Sequence, residues 1–125
     1  MFLFEDAFTV KANFSRVFCD VERFSEDSQE VMAKYGMGVI YEKSDKGLTI
    51  RNINPIIREA ILKEYYWPHH EKLNQTVEQQ LKKFGKATIL DCHSFPNKPF
   101  KRDLNQNQDR PDFNIGTDVF HTPKK

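Results

Sequence analysis

The stretch from Asn54 to Gly85 constrains this chain most, because it is punctuated as helix at both ends. Asn54 followed by Pro55 is a helix start: asparagine accepts from free first-turn amides, and proline's fixed φ suits the first helical position. Ile57, Ala60, Ile61 and Tyr65 then fall on one face, with Arg58, Glu59 and Lys63 elsewhere. Pro68 predicts an interruption or kink after Trp67, since the residue before proline disfavours the helical region. A second helix follows with Leu73, Val77, Leu81 and Phe84 on one stripe, and Gly85 ends it.

Residues around this helical block read as strands. Arg-Val-Phe-Cys-Asp-Val-Glu (16–22) is rich in β-branched and aromatic residues, and residues 87–90 form a short apolar run. Residues 39–42 and 48–51 flank Ser-Asp-Lys-Gly, a hairpin signal in which glycine supplies a positive φ. Between them, residues 25–28 offer caps for a short helix, with Asp27 and Glu30 spaced as a capping pair and Tyr35-Gly36 closing it. Strand, helix and strand in this order predict an α/β class, a layered sheet with flanking helices, over a single domain spanning residues 1–125.

Bulk charge excludes little chemistry but several partners. Nineteen basic and eighteen acidic residues leave a formal charge of +1, which suggests neither a nucleic-acid surface nor an acidic tail. No apolar run approaches the ~20 residues that span a bilayer, and acids stand where a secretory signal would carry basic residues. Two cysteines, Cys19 and Cys92, both fall inside apparent strands and read as buried, reduced thiols. A cytoplasmic setting fits best.

Chemistry concentrates where the run 87–90 gives way to Asp-Cys-His-Ser-Phe-Pro (91–96). Open α/β sheets bind ligands at the carboxyl ends of their strands. Asp91 and His93 there make one metal ligand with an orienting carboxylate a natural reading, against that of a hydrogen-bonded structural histidine. No second histidine completes a metal motif by spacing: His69 and His70 are adjacent and read as helix-terminal packing, and His121 is isolated. Cys92 reads as core, because neighbours on a strand point to opposite faces and His93 would not serve it as a base. Arg23 and Arg110 each could hold an acidic substrate through a two-pronged guanidinium contact, or form an ordinary ion pair.

Residues 97–112 are polar and long enough to read as a binding loop or lid, followed by a short strand at 113–116. Thr122 and Pro123 announce a helix with only two lysines after them, which reads as a fragment of a longer protein, or as a frayed basic tail.

Six blocks carry a resemblance. Asp-Val-Glu-Arg-Phe (20–24), Met-Ala-Lys-Tyr-Gly-Met-Gly-Val-Ile-Tyr (32–41), Tyr-Tyr-Trp-Pro-His-His (65–70), Asp-Cys-His-Ser-Phe-Pro (91–96), Asp-Arg-Pro-Asp (109–112) and Ile-Gly-Thr-Asp-Val-Phe-His-Thr-Pro (115–123) together resemble the N-formylglutamate amidohydrolase family. The resemblance implies a partial domain of a fold similar to zinc carboxypeptidases and aspartoacylases. It also implies a zinc-dependent hydrolase that cleaves N-formyl-L-glutamate to glutamate and formate in histidine breakdown. By that likeness His93 looks like a zinc ligand, Asp91 a supporting acid, and Arg23 the arginine holding a substrate carboxylate. Glu22 departs from the asparagine that precedes this arginine in the aspartoacylase relatives. The family's upstream His-Ser block and its late glutamate have no counterpart here, so the resemblance implies a weakly active or inactive piece. A non-catalytic binding protein or decayed gene product on the same scaffold is the alternative.

Overall fold

A computed structural model of the chain describes residues 7–100, 103 and 105–116. The chain divides into two compact units, Met1–His93 and Ser94–Lys125. The helix announced by Thr122 and Pro123, and the isolated His121, lie outside the described residues.

The first unit is organised on one long helical segment. Helix α1, Pro55–Ile61, starts as its capping signal requires, with the Asn54 side chain accepting from the Ile57 amide at 2.9 Å and Pro55 in the first turn. Pro68 does not break the segment. The chain passes through a π-helical turn, Leu62–Tyr66, and continues as α2, Trp67–Phe84. The Trp67 amide donates to the Leu62 carbonyl, five residues back. Pro68 has no amide to offer the preceding turn, and the wider turn just ahead of it accommodates the ring without ending the helix. Gly85, at φ 69°, caps α2 by donating to the Leu81 carbonyl at 2.8 Å.

The side of this segment that faces inward is not the one counted from Ile57. Leu62 and Tyr66 are buried, whereas Ile57 stands 46 % exposed and Ile61 and Tyr65 pack only at the margin. The core gathers Leu62 and Tyr66 against Cys19, Val39 and Ile40. Phe14, Phe18 and Tyr65 meet edge to face beside it, with centroids 4.8–6.0 Å apart.

Residues 16–22 are not a strand. The Ser15 carbonyl accepts from the amides of Phe18 at 2.9 Å and Cys19 at 3.2 Å, and a second turn closes from the Arg23 amide to the Asp20 carbonyl at 3.1 Å. Turn geometry puts Arg16 within reach of Asp20 four residues on, and that pairing overrides the β-branched composition. The helix expected after residue 25 shrinks to turns and a short 3₁₀ turn, Ala33–Tyr35, capped by Gly36 in the left-handed region. Glu30 leaves the expected capping role: its carboxylate turns inward and accepts from the Phe24 and Met32 amides at 3.3 and 2.9 Å.

The hairpin signal holds. Ser44 donates to Leu48 at 2.9 Å, Gly47 takes φ 81°, and Lys43 bridges Thr49 in antiparallel fashion. Residues 87–90 and 113–116 pair with no strand among the described residues. Ile89 and Leu90 are 59 % and 72 % exposed, so the buried strand expected there is absent from the described residues. In the second unit Arg110 gathers the polar segment, bonding Asp103 at 2.7 Å, the Asn105 carbonyl at 3.2 Å and the Pro96 carbonyl at 3.3 Å.

Candidate functional site

A broad groove of about 1310 Å³ crosses the first unit. Leu73, Val77 and Phe84, three of the four residues read as one stripe of α2, form its apolar wall. The 16–23 turns and the end of the unit supply its polar groups, among them Glu22, Arg23, Asp91 and His93.

Three of these groups converge. His93 Nε2 stands 3.4 Å from Asp91 Oδ2 and 3.5 Å from Glu22 Oε2, and the three donor atoms lie within 4.8 Å of one another. All three side chains are exposed at the groove surface. The Asp91–His93 juxtaposition was legible as an Asp-X-His step; Glu22 was not. It stood in the sequence only as a departure from a motif, and the turn at 20–23 is what delivers it to His93.

Behind Glu22 lies a buried electrostatic network. Asp20, 1 % exposed, accepts from Arg16 Nε at 3.1 Å and Nη2 at 2.8 Å, from the Tyr41 hydroxyl at 2.9 Å and from the Glu22 amide at 3.3 Å. Arg23 stands between two buried carboxylates, with Nε 3.5 Å from Asp20 and Nη1 3.1 Å from Glu30. Its guanidinium therefore has the ion pairs that the sequence held open as the alternative to substrate binding. The Tyr66 hydroxyl donates to the Arg23 carbonyl at 2.9 Å, tying the turn to the π-helical segment.

Burial pushes the Tyr41 phenol above its ordinary range, and the Asp20 charge adds to it. The Cys19 thiol is pushed up to about 11, first by burial and then by Asp20, so it is an inert core thiol as expected. Cys92 corrects the expectation: it is exposed, because the segment carrying it is not in a sheet. His69, on the groove wall, is lowered by burial first, with His70 and Lys72 adding repulsion. His70 packs against the Tyr66 ring at 4.4 Å, in keeping with a packing role.

The model of the family described as FGase, N-formylglutamate amidohydrolase, matches residues 2–123. The chain belongs to the N-formylglutamate amidohydrolase family. That membership places it among hydrolases of the amidohydrolase type, enzymes acting on small-molecule substrates. Comparisons with curated proteins and with solved structures found no significant match. Among the described residues no helix is long and apolar enough to cross a membrane.

Proposed function

We propose that the groove is the pocket of a metal-dependent amidohydrolase acting on N-formyl-L-glutamate or a similar N-acyl acidic amino acid. The observation that carries this reading is the meeting of His93, Asp91 and Glu22 in a chain of this family. Zinc takes imidazole nitrogen and carboxylate oxygen at ~2.0–2.2 Å, so tetrahedral neighbours stand about 3.3–3.6 Å apart. The 3.4 and 3.5 Å separations from His93 Nε2 fit that spacing, and the donor set suits zinc. His93 would be the nitrogen ligand, with Glu22 and Asp91 as oxygen ligands or as carboxylates that orient the ring. When bound, such a metal supplies an acidified water and polarisation of the formyl carbonyl.

The chain's own residues bind and orient. Leu73, Val77 and Phe84 of α2 give one side of the groove an apolar lining, and Glu22 and Asp91 are carboxylates near His93 that would serve to carry a proton. Arg23 and Arg110 remain the candidates from sequence for substrate carboxylates, and each already carries ion pairs within its own unit. The layered α/β architecture of zinc carboxypeptidases stays part of the proposal through the family resemblance, as does a cytoplasmic setting, which two free cysteines support.

The test is formate release from N-formyl-L-glutamate, with and without added zinc, by the chain and its His93→Ala variant. Zinc-dependent release that disappears in the variant supports the reading. Release that persists in His93→Ala with metal content unchanged removes His93 from the site.

A further inference from the structure

The groove holds a second arginine whose position owes nothing to motif matching. Arg16 is fixed at its base by Asp20, with both Nε and Nη2 directed to the same oxygen at 3.1 and 2.8 Å. Asp20 itself cannot swing, because Tyr41, the Glu22 amide and burial hold it. The contacts to Asp20 use the Nε/Nη2 edge of the guanidinium, and the side chain is still 52 % exposed on the groove surface. Its end-on Nη1/Nη2 edge is the second fork that a planar guanidinium offers to a carboxylate.

Arg16 also stands beside the His93 cluster. Glu22 Oε2 lies 3.7 Å from Arg16 Nη2 and 3.5 Å from His93 Nε2, so one carboxylate spans the two. Arg23, by contrast, is only 25 % exposed and engages Asp20 and Glu30. An exposed arginine normally loses rotamer freedom when it captures an anion; here the buried carboxylate has already ordered it.

We propose that Arg16 is a further carboxylate-binding residue of the groove, its end-on edge receiving a carboxylate of a small acidic ligand next to His93. This rests on the reading of the groove as a site for an N-acyl acidic amino acid. Arg16 then sets the preference for an acidic ligand, with Asp20 as the residue that positions it.

Calorimetric titration of the intact chain with glutarate, a dicarboxylate that has no amide to hydrolyse, tests this apart from catalysis. Arg16→Gln is expected to weaken glutarate binding about tenfold or more, the scale of one charge-assisted pair, and Arg16→Lys to restore part of it. If formate release fails while these results hold, the amidohydrolase reading falls and the Arg16 assignment stands. If the wild-type chain binds no glutarate, or Arg16→Gln binds it as tightly as wild type, the assignment is overturned. Should Arg16→Gln not fold, the ¹⁵N resonance of the Arg16 side chain in the wild-type chain decides: a saturating shift on glutarate addition supports the assignment, and no shift overturns it.

Discussion

The Tyr41 hydroxyl donates to Asp20 Oδ2 at 2.9 Å across a separation of 21 residues, and both side chains are buried. The Asp20 amide returns a bond of 2.7 Å to the Val39 carbonyl, so the 16–23 turns and the segment before the hairpin are joined by backbone and side chain at one point. The groove's polar groups, Arg16, Glu22 and Arg23, stand on the turns this junction holds.

Tyr41→Phe removes one donor from a buried carboxylate and leaves the ring in place. It is expected to cost about 1–3 kcal/mol, the range for a hydrogen bond to a charged group left unmade. Urea denaturation of both proteins gives the difference, and an unchanged midpoint would show that Asp20 finds another donor.

The two thiols are expected to differ in reactivity. At neutral pH the exposed Cys92 should react with an aromatic disulfide reagent and Cys19 only upon unfolding; a Cys92→Ser variant that still shows a fast thiol would contradict this.

Burial raises the Cys19 thiol from 9.0 to about 11, and the Tyr41 and Tyr66 phenols also rise, with burial the largest cause in each. A raised folded value means that the folded chain holds its proton longer than the unfolded chain. The stability is complete below pH 9 and is lost as pH rises from 9 through about 11. Urea midpoints measured across that window should fall, and fall less in Cys19→Ala relative to its own value at pH 8.

Asn54→Ala removes the cap of α1 and is expected to cost about 0.5–2 kcal/mol, and Asn54→Gly only a few tenths. Thermal melting followed by helical circular dichroism reads both.

Zinc should stabilise the chain if the His93 cluster is a metal site. At a free concentration about a hundred times Kd the expected gain is about 2.7 kcal/mol, read as a rise in melting temperature, and His93→Ala should abolish it. Glu22→Gln should reduce it, which separates a ligand role for Glu22 from mere proximity.

The signals that proved legible are those whose physics is complete within a few residues. Asn54 caps through an amide three residues on, Gly85 closes a helix through a carbonyl four back, and Gly47 turns a hairpin between Ser44 and Leu48. Residues 16–22 misled because β-branched composition states only a preference, and the Arg16–Asp20 pair with the Tyr41 hydroxyl favours turns. The inward face of the helical segment lies one residue on from the counted stripe, at Leu62 and Tyr66 in place of Ile61 and Tyr65, because Cys19, Val39 and Ile40 from distant parts of the chain pack there.

By itself the sequence determined the ends of the helical segment, the hairpin turn and, through its ordered blocks, the family. Tertiary structure alone decided that Cys19 lies inside and Cys92 outside, that α2 walls a groove, and that Glu22 meets His93. Capping and turn chemistry act between near neighbours in the chain, whereas burial and ion pairing depend on which distant segments come together.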